Sequence, residues 1–272
     1  MALCNNGANF LIIDSSKGFI HNFNLNGNLI SSINPDNCLR LPWGICVGRK
    51  ENGDEEIYIS DWKAQTVFLF NRDFKFVKKI GENIKNVQCL TIDYASDILY
   101  CSHFDDGLVT LWNVNDGTLK EEIRIAQPGH VKIADDKIYI LSYADVKRNW
   151  HKRKVIKIRK GNCINVINKS TLKIVHKIQF DDWFNPASLH LSRDSNIYSA
   201  AYEMDKKGIF SQSMVLFKID STNYEIKQKI ELSDVRFFDE ALHANNKLIL
   251  STVNGRSHEI RIIEFKESSS VL

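Results

Sequence analysis

Short runs of apolar, β-branched and aromatic residues recur along the whole chain, and polar turns separate them. The clearest stretch covers residues 41 to 80, where four such runs follow one another. Runs of this length, bounded by Gly, Asn, Asp or Ser, are typical of β-strands. A repeat of roughly 45 residues that contains four strands indicates a blade of a β-propeller.

One of these runs recurs most regularly, a hydrophobic strand that comes directly after a polar turn. We take it as the second strand of each blade, with an inner strand before it and two further strands after it. No segment shows the sustained period of a helix. We therefore expect an all-β fold, a six-bladed β-propeller with four antiparallel strands per blade, and leave open whether the first and last blades are complete. The copies begin at Phe10, Ile57, Ile98, Ile138, Ile197 and Leu248.

We expect a single domain, residues 1–272, because no Pro-, Gly- or Ser-rich linker divides the chain. The inner strand of blade one is shortened to Ala2–Cys4, and the inner strand of blade five is placed at 187–191. The two termini should lie side by side, because a propeller closes by bringing its first and last blades together. The predicted blades span residues 1–34, 35–80, 81–125, 126–180, 181–231 and 232–272.

Three conspicuous side chains are interpreted as structural. Asp14 and Asp61 each end a second strand, where a carboxylate accepts backbone N–H groups of the following turn. Trp112 belongs to a predicted strand and is expected in the core.

The second predicted blade resembles an NHL repeat through Pro42 to Ile45, Ile57 to Asp61 and Val67 to Asn71. The third blade, with residues 107 to 117, looks more like a WD40 blade, and residues 166 to 175 of the fourth are similar to YVTN-type repeats. The NHL resemblance implies six blades and a binding face built from the loops between strands. Members of that family serve as protein-binding or RNA-binding modules, often at the end of RING/B-box ligases. Ligase activity is not expected, because the sequence contains no RING, B-box or coiled coil.

The composition indicates the general class of protein but does not indicate its function. The chain has 272 residues with 43% hydrophobic and 25% charged positions, which is typical of a globular protein. Its net charge of +3 is too small to imply a polyanionic partner by itself. Six cysteines are scattered without a CxxC pair or zinc-type spacing, as in proteins of a reducing compartment. Neither a transmembrane segment nor a signal peptide is evident, so we expect a cytoplasmic protein without a membrane partner, with a nuclear location as the alternative.

The most distinctive departure from the repeat is a basic insertion between the second and third strands of blade four. Residues 147 to 160 contain eight Lys or Arg together with one Trp and one His. Cations beside an aromatic ring suit phosphate contact and base stacking, and they also suit an acidic protein. A solvated loop or a hairpin extension is the structural alternative. The predicted partner contacts here are Arg148, Trp150, His151, Lys152, Arg153 and Lys154.

The connections that lead into new blades add aromatic and Arg side chains. By propeller geometry they should gather around one mouth of the ring, on the face that also carries the insertion. Such residues are the usual anchors of binding surfaces, although packing between blades is the alternative role for each. The predicted contacts are Trp43, Trp183, Phe184, Arg236 and Phe237.

An enzymatic alternative rests on three histidines of the inner strands. His130, His190 and His243 could together bind a metal ion in the channel and leave a position for water. Aligned by the turns that follow them, however, they do not occupy equivalent positions. No phosphate loop, serine elbow or HExxH motif is present.

The sequence therefore favours a non-catalytic interaction module. Its loop face is expected to bind a protein partner, with RNA as the alternative partner and a metal-dependent lyase or hydrolase as the alternative class. No cofactor is expected, and the protein should be a monomer.

Overall fold

The computed structural model describes residues 1–4, 7–143, 146–149, 154–158, 161–182, 184–192, 196–204, 210–232, 238–244, 247–254 and 257–264. Regular structure in this part of the chain consists of β-strands, apart from a short 3-10 turn at Pro35–Asn37. The predicted all-β class is confirmed.

Three sheets of four consecutive antiparallel strands form the first three blades. Blade one contains β1 (Ala2–Cys4), β2 (Asn9–Asp14), β3 (Phe19–Asn24) and β4 (Leu29–Ile33). Blade two contains β5 (Pro42–Arg49), β6 (Glu55–Asp61), β7 (Thr66–Asn71) and β8 (Phe76–Ile80). Blade three contains β9 (Val87–Asp93), β10 (Ile98–His103), β11 (Leu108–Asn113) and β12 (Leu119–Arg124).

The fourth and fifth blades keep this order with local additions. Blade four contains β13 (Pro128–Ala134), β14 (Lys137–Ser142), β17 (Cys163–Asn168) and β18 (Ile174–Gln179), and the separate pair β15 (Val146–Asn149) and β16 (Lys154–Ile158) lies between β14 and β17 along the chain. Blade five contains β19 (Phe184–Pro186), β20 (His190–Leu191), β21 (Asn196–Met204), β22 (Phe210–Asp220) and β23 (Ile226–Leu232). Its inner strand, predicted as one run, is split, because β19 and β20 both pair with β21 while the chain between them departs from the ladder.

The last sheet differs from the others. It has three strands among the described residues, β24 (Phe238–Ala244), β25 (Lys247–Asn254) and β26 (Ser257–Glu264). A propeller of four-stranded antiparallel blades is confirmed, but the described residues contain five such blades and not the six predicted. The residues after β26 lie outside those described, and their sequence, with Ser268 to Ser270 in a row, lacks the apolar alternation of the other outer strands.

A side-chain turn after the third strand of each of the five four-stranded blades explains the regular repeat. Asn24, Asn71 and Asn113 each accept, through Oδ1, the backbone N–H two residues further on, at 3.0, 3.1 and 2.9 Å. Asn168 and Asp220 cap the same turn in blades four and five. Because Asn and Asp mimic a backbone turn in this way, they reverse the chain from the third to the fourth strand.

The first and last sheets pack against each other. Met1 and Phe10 of blade one form a buried cluster with Ile249 of β25. The Nζ atom of Lys247 also donates to the backbone oxygen of Leu25 at 3.5 Å. The first and last sheets are therefore in contact, while the predicted position of the C-terminal residues falls outside those described.

Candidate loop-face interaction site

The strand register identifies which loops share one face of the ring. Pro42, at the start of β5, pairs with Asp61, at the end of β6, and Asp61 in turn pairs with Thr66, at the start of β7. The connection into a blade and the loop between its second and third strands therefore meet at the same end. We call this end of the blades the loop face.

Asp61 holds two segments of the loop face together in blade two. Its Oδ2 accepts the backbone N–H groups of Arg40 and Leu41 at 2.6 and 3.0 Å, and its Oδ1 accepts that of Ala64 at 2.8 Å. Asp61 is itself buried, so these bonds satisfy a carboxylate that would otherwise be costly to bury. The predicted structural role of this residue is confirmed. Asp14 has the same role with fewer hydrogen bonds, since it accepts the backbone N–H groups of Ser16 and Lys17.

Two tryptophans, one of which directly follows Asp61 along the chain, form a stacked platform. The rings of Trp43 and Trp62 lie 4.2 Å apart at an angle of 17°. Trp43 is 42% exposed, whereas Trp62 is partly buried and donates its Nε1–H to the backbone oxygen of Val87 at 2.7 Å. Trp62 thus ties blade two to the start of β9 in blade three, and Trp43 stacks on it with one face towards solvent. The sequence pointed to Trp43 but missed Trp62, whose signal was its position directly after Asp61.

A hydrogen-bonded chain supports the loop face in blade three. The Nδ1 of His103 lies 2.6 Å from the backbone oxygen of Lys85, and a carbonyl only accepts, so Nδ1 carries the proton. The Nε2 atom then accepts from the Thr110 hydroxyl at 2.8 Å, and the hydroxyl oxygen accepts from Nε1 of Trp112, also at 2.8 Å. Burial lowers the pKa of His103, which favours this neutral ring. Trp112 packs partly buried against the core, as predicted.

Another aromatic pair joins blades three and four at the loop face. Phe104 and Tyr143 meet edge to face with ring centroids 5.6 Å apart. The Tyr143 ring lies against Gly129, where a Cβ atom would come within 2.3 Å of it, so a larger residue there would force the ring to move. Aromatic rings therefore line the loop face from blade two to blade four.

Phe184 occupies the corresponding edge of blade five, at the start of β19 and opposite Glu203. It is half-buried and packs edge to face on Phe217 with centroids 5.0 Å apart. The Nζ atom of Lys229 lies 5.5 Å from the centre of its ring. These contacts give Phe184 a packing role, which the sequence left as the alternative to partner binding.

The basic insertion of blade four forms a β-hairpin, one of the structures that the sequence left open. Strands β15 and β16 pair with each other, with Val146 opposite Ile158 and Asn149 opposite Lys154. The hairpin extends from the loop-face end of the blade, because β14 and β17, which flank it, pair as far as Ser142 and Cys163.

Several predicted contact residues fall where the structure gives no account of them. Arg148 and Lys154 lie on the hairpin strands, for which the backbone is described. The other predicted contacts lie outside the described residues, namely Trp150, His151, Lys152, Arg153, Trp183, Arg236 and Phe237.

The three histidines of the metal alternative lie on different inner strands. His130 lies four residues before the end of β13, whereas His190 and His243 lie one residue before the ends of β20 and β24. A spacing of three residues along a strand corresponds to about 10 Å. Among the described side chains, no three His, Cys, Asp or Glu groups converge as a metal site would require, and the side chain of His243 is not among them.

His130 is instead a buried neutral base. It is 7% exposed. Burial, together with the smaller effect of the positive charges of Lys132 and the chain's amino terminus, lowers its pKa to about 3. All six cysteines are described and none forms a disulfide. Burial raises the pKa of Cys4 to about 12 and that of Cys101 well above its ordinary value, so these thiols are poor nucleophiles.

Comparisons with known proteins support the fold and no more. No family model and no curated protein matches the sequence. The structure is similar to hydrazine synthase of Kuenenia stuttgartiensis, with a TM-score of 0.63 and 14% identity over 83% of this chain and 63% of that one. It is also similar to a protein of unknown function from Bacteroides caccae, with a TM-score of 0.59 and 13% identity over 85% of this chain and 80% of that one. The chain thus spans less than two thirds of the hydrazine synthase chain, and at these identities the likeness shows the β-propeller architecture alone.

One expectation from the sequence has to be corrected. The protein was expected not to be an enzyme, and this is contradicted by the likeness to hydrazine synthase, an enzyme. The propeller architecture therefore gives no ground for excluding catalysis, and the likeness assigns no reaction to this chain. Within the residues that the structure describes, we find no helix with the length and apolar character that a membrane span requires.

Proposed function

We propose that the loop face binds a protein partner through an acidic segment of that partner. The observation that carries this proposal is the half-exposed Trp43, stacked on Trp62, with the exposed cations Arg40 and Lys63 close to these two residues along the chain. A rigid aromatic anchor next to Arg is typical of binding hot spots, since little side-chain entropy is lost on contact. The basic hairpin of blade four extends from the same face and adds positive charge for an acidic chain.

A single-stranded RNA is the second candidate partner. The Trp43–Trp62 stack favours it, because an indole with one free face is a platform on which a nucleobase stacks. Phosphates would then pair with the eight Lys and Arg of residues 147 to 160. The two candidates use the same surface and differ in what rests on Trp43.

We also propose that the three-stranded sheet β24 to β26 serves as a sixth blade. Its packing on blade one supports this, because Ile249 and Phe10 share a buried cluster. The NHL-like pattern of residues 42 to 71 supports a ring of the six-bladed NHL type.

The binding proposal is tested by charge reversal of the hairpin, with Arg148→Glu, Lys152→Glu and Arg153→Glu combined, and separately by Trp43→Ala. Fluorescence anisotropy would be measured with a labelled Glu-rich peptide and a labelled single-stranded RNA over a range of salt concentrations. We expect the triple variant to bind the labelled probe with an affinity that is lower by about tenfold or more. The affinity should also depend less steeply on salt concentration. Trp43→Ala should lower the affinity for RNA more than the affinity for the peptide, since about 1–3 kcal/mol of stacking energy is lost for each base.

A matched control uses the opposite face of the ring. Arg72, Lys75 and Lys173 are exposed in the turns after β7 and β17, so their combined change to Glu alters the net charge equally and leaves the loop face intact. Preferential loss of peptide binding in the hairpin variant supports a protein partner, and preferential loss of RNA binding supports the second candidate. If the hairpin and control variants bind both probes as the unchanged protein does, the loop-face proposal is wrong.

A further inference from the structure

A cleft opens on the outer strands of blade two, and neither Trp43 nor Trp62 lines it. It lies between the connection into the blade and the outer strands β7 and β8, and its volume is about 550 Å³. Clefts of roughly 300–1,000 Å³ are the size that holds small organic ligands. The cleft is lined by three cations, Arg40, Lys63 and Lys79, and by two aromatic rings, Phe68 and Phe76.

The charges of the cleft are of one sign. Its lining residues include no carboxylate, and none of the three cations forms an ion pair with a described residue. Asp61 lies behind them, but its two oxygens accept the backbone N–H groups of Arg40, Leu41 and Ala64. These bonds position Arg40 at the edge of the cleft. Three unpaired cations around one concavity favour an anion.

A β-bulge assembles the apolar wall. Side chains three residues apart on a regular strand point to opposite faces of a sheet. In β8, however, Phe76 pairs with Phe70 and Lys79 pairs with Phe68, with a register shift between these pairs. The shift places Phe76 and Lys79 on the same face. As a result, Lys79 Nζ lies 5.6 Å above the centre of the Phe68 ring, and the edge of Phe76 contacts the same ring with centroids 6.2 Å apart.

Blade five contains the same pair of a lysine above a phenylalanine ring, but there an acidic residue neutralises the charge of the lysine. Lys229 occupies the position of Lys79 and lies 5.6 Å above the ring of Phe217, the counterpart of Phe68. There, the connection into the blade supplies Asp181, whose Oδ2 lies 3.8 Å from Lys229 Nζ. In blade two the connection supplies Arg40 instead of a carboxylate. The same local structure therefore leaves an ion pair in blade five and an open cationic cleft in blade two.

We propose that this cleft is a binding site for a small aromatic phosphate, of the size of a nucleoside monophosphate. A phosphate monoester carries close to two negative charges and three acceptor oxygens, which matches a guanidinium and two ammonium groups better than one carboxylate does. The ring of the ligand would lie against Phe76, which is 44% exposed. Arg40 and Lys63 are shared with the macromolecular surface proposed above, but Trp43 does not line the cleft, so a change of Trp43 distinguishes the two sites.

The test is isothermal titration calorimetry, which measures the affinity for four probes: adenosine 5′-monophosphate, phenyl phosphate, adenosine and inorganic phosphate. We expect the two aromatic phosphates to bind at least about tenfold more tightly than adenosine or inorganic phosphate, because each of these lacks one half of the recognised chemistry. Added salt should weaken the binding. Absence of measurable binding, or inorganic phosphate binding as tightly as adenosine 5′-monophosphate, would overturn the proposal.

Variants then locate the binding. Lys63→Glu and Lys79→Glu should each lower the affinity for adenosine 5′-monophosphate about tenfold or more, whereas Lys75→Glu, the same charge change in the turn outside the cleft, should not. Phe76→Ala should weaken the two aromatic phosphates and leave inorganic phosphate unaffected, with thermal unfolding as the check on folding. Trp43→Ala should leave all four affinities unchanged, which separates this site from the loop-face platform. Equal effects of Lys75→Glu and Lys79→Glu would show that the anion is not held in the cleft.

Discussion

At the residue scale, buried polar side chains set the local geometry of the ring. Asp61 was predictable from the sequence, because a carboxylate that directly follows a strand has backbone N–H groups of the next turn within reach. The chain from Trp112 through Thr110 and His103 to the carbonyl of Lys85 was not. Its members are brought together by the pairing of β10 with β11 and by the approach of a connection from outside the hairpin. Such a network depends on tertiary contacts that single-sequence spacing does not encode.

The buried His130 should make the stability of the folded protein depend on pH in the acid range. Its pKa in the folded protein is about 3, below the ordinary value near 6.5, so between these values the unfolded chain binds a proton that the folded chain does not. The free energy of unfolding should therefore fall as the pH is lowered from about 6.5 towards 3, by at most about 1.4 kcal/mol per pH unit from this group. Urea unfolding at several pH values measures the slope.

The variant His130→Leu isolates this contribution, because the imidazole makes no hydrogen bond with a described residue and its loss leaves no partner unsatisfied. We expect a shallower acid slope in the variant. His176→Gln, on the exposed outer strand β18, serves as the control and should keep the slope of the unchanged protein. An identical slope in all three proteins would contradict the assignment to His130.

At the element scale, the strands follow the sequence pattern closely and the bulges do not. The alternation in residues 76 to 80 predicted an edge strand that carries Lys, which β8 confirms. Strict alternation would also place Phe76 and Lys79 on opposite faces. Each of the five four-stranded blades instead has a register shift between its third and fourth strands, at the end next to the connecting turn. Because a bulge inserts one residue without changing composition, the cleft on blade two was invisible to periodicity.

The basic hairpin is the element whose removal should leave the ring intact. Strands β14 and β17 pair directly from Lys137 to Ser142, so the blade does not need β15 and β16 for its ladder. Replacing residues 144 to 160 by Asn-Gly should change the free energy of unfolding by about 0.5 kcal/mol or less, as expected away from the core. Thermal unfolding measures this, and the two labelled probes of the loop face should lose affinity as they do in the charge-reversed hairpin. Strong destabilisation would mean that the hairpin packs on the ring.

At the scale of the whole molecule, closure of the ring is where sequence reasoning was weakest. Ala2–Cys4 was correctly predicted as a short inner strand, and the run that begins at Leu248 as a second strand. Six blades were predicted, with the completeness of the first and last left open, and the described residues contain five four-stranded blades. Among the described strands, the first and last sheets share no strand, since β1 pairs with β2 and β24 with β25. Closure in this part of the chain therefore rests on side-chain packing.

The buried contact between Phe10 and Ile249 makes this closure testable. Both side chains are fully buried, so Ile249→Ala leaves a cavity at the seam and should cost about 2–5 kcal/mol of unfolding free energy. Ile140→Ala, an equally buried change in the middle of blade four, should cost a similar amount. The two variants should differ in where the structure loosens. Hydrogen exchange should accelerate first in β2 and β25 for Ile249→Ala, and in β14 and its neighbours for Ile140→Ala, because local opening follows the weakened interface. Exchange that rises evenly over all five four-stranded blades in Ile249→Ala would show that the seam is not a separate cooperative contact, and that the ring unfolds as one unit from wherever it is weakened.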